Sequence, residues 1–151
     1  MKYNEALSRA QNICSRQEKC TADIIKKLTD WEVHEEDINK ILEQLRKDKY
    51  LDDTRYVCSF VNDKFGISKW GKVKIRYHLI QKGINEDIIK NALDEIDTDK
   101  YSDVLKDILL KKAKQIKTKS KKEKHQKLMT FAYQRGFSFD ECYEIVQGII
   151  N

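Results

Sequence analysis

The chain has no proline and only five glycines in 151 residues, so the two residues that most strongly interrupt helices are nearly absent. Cysteine is scarce as well. Cys14, Cys20, Cys58 and Cys142 form no CxxC pair, and three of them fall at core-facing helical positions. That excludes a zinc-ribbon pattern and a disulfide scaffold and points to small buried thiols in a reducing compartment. His34, His78 and His125 stand alone, none one helical turn from another histidine or a cysteine. No metal site and no cofactor are therefore expected. Long apolar runs are missing too: nothing approaches the roughly 18 to 20 residues of a membrane span, and MKYNEALSRAQ lacks the apolar stretch of a secretory signal. The expectation is a cytoplasmic, all-α protein with no membrane partner.

What the chain has in quantity is charge. Charged residues make up 36% against 40% apolar, and the net charge is +5, a balance that suits a protein with much surface relative to its core. The distribution is uneven. Lys111 to Lys127, KKAKQIKTKSKKEKHQK, carries nine lysines against the single Glu123, whereas Asp30 to Asp53 carries nine acids against four bases. A lysine block of this kind is either a solvated connection or a surface for an anionic polymer or an acidic protein groove.

One unit is written three times. KLTDWEVHEEDINKIL, HLIQKGINEDIIKNAL and FAYQRGFSFDECYEIV align without gaps when Glu32, Gly83 and Gly136 are superposed, at spacings of 51 and 53 residues. An apolar residue follows each of these positions (Val33, Ile84, Phe137), and then comes a residue placed to cap a helix (His34, Asn85, Ser138). Inside each unit the apolar period is helical. Unit one places Leu7, Ala10, Ile13 and Cys14, then Ile24, Ile25 and Leu28, then Ile38, Ile41, Leu42 and Leu45 on three helices. Unit two places Tyr56, Val57, Phe60, Val61 and Phe65, then Val73, Ile75, Tyr77 and Leu79, then Ile89, Ala92, Leu93 and Ile96. Unit three follows with Val104 to Leu109, Leu128 to Ala132 and Cys142 to Ile149. The expected architecture is three tandem three-helix repeats, 1–51, 52–98 and 99–151, in an elongated, curved helical array. A dozen apolar residues make a marginal core for one repeat, so neighbours are expected to pack.

The joints between second and third helices are sharply marked. Gly83 and Gly136 can take the left-handed conformation that closes a helix; Glu32 stands at the matching place in unit one, which predicts a looser or differently shaped turn there. In KYLDDTRYVCSFV, residues 49–61, Asp52 reads as a helix cap and Asp53 as a first-turn acid opposed to the helix dipole, with Leu51 and Tyr56 in staple positions. An acid–base dyad would need a partner in a pocket, and no second motif supplies one. Arg55 is placed for a local ion pair or a partner contact.

KYLDDTRYVCSFV together with SKWGKVKIRYHLIQKGINEDIIKNAL resembles the central repeat of the RecX family; ALSRAQNICSRQEKCTADIIKKL and LMTFAYQRGFSFDECYEIV resemble its first and last. The ordered combination of YLDD, RY, F, WGKVKI, L and KGI carries the likeness over nearly the whole chain. The resemblance implies a non-catalytic monomer that binds nucleoprotein filaments of the recombinase RecA and modulates, usually inhibits, strand exchange, ATPase and coprotease activity in repair and recombination. Candidate contacts to filament protein or DNA phosphates are Lys64, Lys69, Lys72, Lys74, Arg76 and Lys82 in the middle repeat. Lys111, Lys112, Lys114, Lys119, Lys121, Lys122 and Lys124 are the candidates in the third. Trp70 is expected to anchor its turn. Without interleaved aromatics, the lysine block suits phosphate or carboxylate contact rather than base readout. A sequence-tolerant DNA-binding protein independent of RecA, and an enzyme using Asp52 or Asp53, stand as competing readings.

Overall fold

The computed structural model describes residues 1–151 and contains nine helices and no strand. They are α1 (Tyr3–Arg16), α2 (Thr21–Asp30), α3 (Glu35–Lys47), α4 (Asp53–Gly66), α5 (Lys72–Gln81), α6 (Glu86–Asp94), α7 (Thr98–Gln115), α8 (Lys121–Gln134) and α9 (Phe139–Ile150). This is a helical repeat array, three helices to a repeat. By compactness the chain divides into two units, Met1–Phe60 with Leu79–Ile89, and Val61–His78 with Lys90–Asn151.

In the first unit α1 and α2 both pack on α3. Ala6, Ala10 and Cys14 of α1 meet Ile24 and Leu28 of α2 and Ile41, Leu42 and Leu45 of α3, with Val33 and Leu51 closing the ends. The small residues of α1 lie at i, i+4 and i+8, a stripe that lets the helix approach closely. In the second unit α8 packs on α9 and α7, and Tyr101, Leu105, Leu109, Leu128, Ala132, Phe137, Cys142 and Val146 are buried. No polar or charged residue is buried in either. Burial pushes the thiols of Cys14 and Cys20 above their ordinary pKa, and that of Cys142 up to about 11. Only Cys58 is exposed.

Two sequence expectations about faces are corrected. On α5 the buried stripe is Ile75 and Leu79, while Val73 and Tyr77 are 52% and 59% exposed. A step of two residues turns a helix by about 200°, so Val73 and Tyr77 fall opposite the stripe rather than beside it. Ile25, next to buried Ile24, is likewise exposed. The lysine-rich block spans the end of α7 and the connection that follows, as its place in the third repeat implies, and from Lys121 it continues into α8.

The turn at Glu32 differs from expectation in the opposite sense. Glu32 adopts φ 58°, against 74° at Gly83 and 97° at Gly136. At all three places the next amide reaches back across the turn: Val33 N–H to the Leu28 carbonyl, Ile84 to Leu79, Phe137 to Ala132, at 3.0, 3.2 and 3.1 Å. This is one closing motif in three copies. A side chain in the left-handed region costs about 1–2 kcal/mol, and the reverse-turn hydrogen bonds hold Glu32 there regardless. Glu32→Gly is accordingly expected to stabilise the protein by about 0.5–1 kcal/mol, part of the relief being lost to the freer unfolded chain. A urea midpoint that falls instead of rising would refute the strain. The caps that follow are unequal. Ser138 and Glu141 form a reciprocal capping box and Asn85 Oδ1 accepts from the Asp87 N–H at 2.8 Å, but the imidazole of His34 accepts no cap bond.

Candidate nucleic-acid and filament interface

Asp52 and Asp53 are occupied by architecture. Asp52 Oδ1 accepts from the Arg55 N–H at 3.1 Å, at the start of α4. Asp53 reaches 32 residues back along the chain, where Oδ1 accepts from the backbone N–H of Thr21 at 3.0 Å and from its hydroxyl at 3.1 Å. Thr21 opens α2, so the carboxylate satisfies a free amide at one helix N-terminus while sitting in the first turn of another. Arg55 completes the joint: Nε donates to Glu18 at 2.7 Å, and Nη2 donates to the Lys49 carbonyl at 3.0 Å and the Tyr50 carbonyl at 3.3 Å. Leu51 and Tyr56 are both buried.

The basic residues of the middle repeat divide by what holds them. Lys82 pairs with Asp23 of α2 at 2.7 Å. Burial works to raise the Asp23 carboxyl pKa, but the Lys82 ammonium and the Cys20 amide together hold it below its ordinary value. Lys64 and Lys74 place their ammonium groups over the ring of Trp70, 4.7 and 4.4 Å from its centre, and the imidazole of His78 lies 4.8 Å from the same ring. Trp70 thus anchors the turn before α5 and gathers cations around it. Lys72 lies over Tyr101 at 4.9 Å, and Lys69 donates to the Gly66 carbonyl at 2.8 Å. Arg76 is exposed.

The start of α5 is held by backbone. Gly71 N–H donates to the Arg135 carbonyl at 2.7 Å and Val73 N–H to the Gly136 carbonyl at 3.0 Å, while the Lys72 N–H donates to the Tyr101 hydroxyl at 2.9 Å. The carbonyls ending α8 satisfy the amides beginning α5, so two termini that would each need partners supply one another. Arg135 adds an Nη1 bond to the Ser68 carbonyl at 3.1 Å. Sequence reasoning missed Tyr101, whose burial pushes its hydroxyl well above the ordinary tyrosine pKa. Its period places it one turn ahead of Leu105 on α7, a signal that was available.

The lysines of the third repeat occupy the last turns of α7, the connection 116–120 and the first turns of α8. Lys111 pairs with Asp107 at 3.1 Å, four residues back, and Lys127 with Glu123 at 3.0 Å. Lys114, Lys119, Lys121 and Lys122 are exposed and have no ion-pair partner. Lys121, Lys122 and Lys124 moreover crowd the positive end of α8, where cations are disfavoured; Ser120 offsets this by capping the Glu123 N–H at 3.2 Å. Positive charge concentrated at a local cost in helix stability fits a surface that meets anions.

Beside this cluster runs a groove of about 760 Å³ between the end of α7 and α8. Phe131 lies in its wall, with Lys112 Nζ and Arg135 Cζ at 5.3 and 5.2 Å from the ring centre. Sequence reasoning did not connect Phe131 to the lysines. The signal lay in spacing: Lys127 and Phe131 on α8 and Arg135 at its C-cap recur at i, i+4 and i+8.

Comparison with known proteins returns one family. The model of the second three-helix domain of RecX matches residues 52–93 and that of the third matches 99–146. The regulatory protein RecX of Clostridium acetobutylicum is 35% identical over 99% of this chain and 71% of its own length. Those of Leuconostoc mesenteroides and Clostridium perfringens strain 13 are each 31% identical, over 99% and 88% of this chain. The chain spans only 58% and 63% of these two relatives. A crystal structure of regulatory protein RecX superposes with TM-score 0.87 at 30% identity, covering 96% of this chain and 71% of that one. The crystal structure of RecX from Lactobacillus salivarius, at 24% identity and TM-score 0.89 over 97% and 96% of the two chains, shares the fold.

Proposed function

The chain belongs to the RecX family of regulatory proteins, and from that premise we propose that it binds RecA nucleoprotein filaments and lowers their recombinase, ATPase and coprotease activity. The observation that carries this reading furthest is the run of exposed, unpaired lysines at Lys114, Lys119, Lys121 and Lys122. A RecA filament offers such a surface two anionic targets, DNA phosphates and acidic protein side chains. Lys112 and Lys124 extend the face, while Lys64, Lys72 and Lys74 supply cations already ordered by Trp70 and Tyr101. Binding through ammonium groups is tolerant of sequence and sensitive to salt.

The role is regulatory rather than catalytic. Asp52 and Asp53, the carboxylate pair that invited acid–base chemistry, are engaged with helix amides. No helix is long and apolar enough to cross a membrane, in keeping with action on a filament in the cytoplasm.

The test is a titration of the protein into RecA assembled on single-stranded DNA, following ATP hydrolysis and filament length together. Hydrolysis is expected to fall and filaments to shorten as the protein is added. Absence of any response from the recombinase of the same organism would overturn the proposal. Salt-sensitive binding to bare DNA without that response would favour a DNA-binding protein acting alone.

A further inference from the structure

We propose that the groove between the end of α7 and α8 binds single-stranded polynucleotide, with Phe131 as the platform on which a base stacks. This deepens the filament reading by naming the chemistry that one part of the surface recognises. The groove combines three kinds of group. Lys112, Lys117 and Lys127 supply cations, Gln115, Gln126 and Gln134 supply neutral amides, and Phe131 supplies a π face, all within one open volume of about 760 Å³.

Each kind answers to a different part of a nucleotide. Ammonium groups meet phosphate. Carboxamides, which both donate and accept, can meet base edges. An aromatic ring meets the flat face of any base, and such stacking tolerates sequence because every base has one. An acidic peptide would need only the cations and would leave the ring and three amides unused. A duplex keeps its base faces stacked internally and has none to offer. Of the anionic polymers, an unpaired strand alone uses all three.

The geometry is prepared for the exchange. Lys112 Nζ lies 5.3 Å from the Phe131 ring centre and Arg135 Cζ 5.2 Å from it. An incoming base takes the place of the Lys112 ammonium on the ring, and the ammonium turns to the neighbouring phosphate. Arg135, tied by Nη1 to the Ser68 carbonyl, stays and steadies the ring. Glu123 is the one acid in the wall, and it is occupied by Lys127 at 3.0 Å and by the Thr118 hydroxyl at 3.0 Å. That ion pair is half exposed on both sides and weak enough to open for a phosphate.

The experiment compares three labelled polymers by fluorescence anisotropy, without RecA: an oligothymidylate of about twenty nucleotides, an abasic chain with the same phosphates, and a polyglutamate of equal charge. The full chain is expected to bind oligothymidylate about tenfold more tightly than the abasic chain. Phe131→Leu should abolish that difference while leaving affinity for the abasic chain in place. Equal affinity for both nucleic acids overturns the platform, as does a difference that survives Phe131→Leu. Polyglutamate bound as tightly as oligothymidylate makes the groove a site for acidic peptide instead. Should Phe131→Leu fail to fold, 2-aminopurine placed in the oligonucleotide reports stacking on the unaltered protein. Quenching on binding supports the platform, and unchanged emission overturns it. Because RecA is absent throughout, failure here with an intact ATPase response removes this site and leaves the regulatory reading standing, whereas loss of the ATPase response with stacking intact does the reverse.

Discussion

Gly71→Ala is expected to cost roughly 3–5 kcal/mol of stability, far more than alanine at an ordinary surface position. A β-carbon on Gly71 would lie 2.3 Å from the Gly136 carbonyl oxygen, 2.5 Å from its carbon and 2.7 Å from the Phe137 nitrogen. All three are backbone atoms, so no side chain can swing aside; the start of α5 and the α8–α9 turn have to separate. Separation breaks the bonds from the Gly71 and Val73 amides to the Arg135 and Gly136 carbonyls, and buried amides left unpaired cost about 1–3 kcal/mol each. Gly136→Ala should behave similarly, since its β-carbon would lie 2.3 Å from that of Lys74 at φ 97°. Gly83→Ala is the control. It occupies the same place in its repeat and has φ 74°, but nothing lies within 4 Å of the added carbon, so only the left-handed backbone is penalised, by about 1–2 kcal/mol. Urea unfolding followed by circular dichroism would separate them. Equal losses at Gly71 and Gly83 would show that the close approach is not what makes Gly71 necessary.

Replacing Lys114, Lys119, Lys121 and Lys122 together with alanine should weaken binding to RecA on single-stranded DNA about a hundredfold at physiological salt. It should also lower the dependence of log K on log salt by about 3, near 0.7 for each lost phosphate contact on a single strand. Stability should hold or rise slightly, because these side chains are exposed and unpaired and two of them oppose the α8 dipole. The two readouts matter jointly. A hundredfold loss with an unchanged salt slope would mean that the lysines meet acidic protein rather than phosphate. No loss at all would move the interface off the third repeat and toward the cations gathered at Trp70.

Much of this molecule could be read from its sequence because the relevant physics is local. Helix period, capping residues and the glycine stops act over about four residues, and they place nine helices and the closing turns at Gly83 and Gly136 without reference to anything distant. The departures lie in helix faces and in one turn, not in which segments are helical. Val73 and Tyr77 share the apolar set of α5 with Ile75 and Leu79, yet their two-residue offset turns them outward. The turn at Glu32 was expected to differ because a glycine was missing. Three hydrogen-bonded turns of identical pattern show that the closing bonds outweigh the preference of one side chain.

The sequence alone determined the helical class, the threefold repeat, the family likeness and the concentration of lysine in one stretch. Tertiary structure decided what each charge does. Asp53 is joined to Thr21 across 32 residues, Lys82 to Asp23 across 59, and Arg135 to Ser68 across 67. Partners at such separations leave no periodic trace in a single chain, since nothing but the packing of one helix on another brings them within hydrogen-bond distance. The same packing sets Gly71 against Gly136 and Phe131 beside Lys112, so a glycine that looked like punctuation became a contact and an aromatic given no role became the wall of a groove.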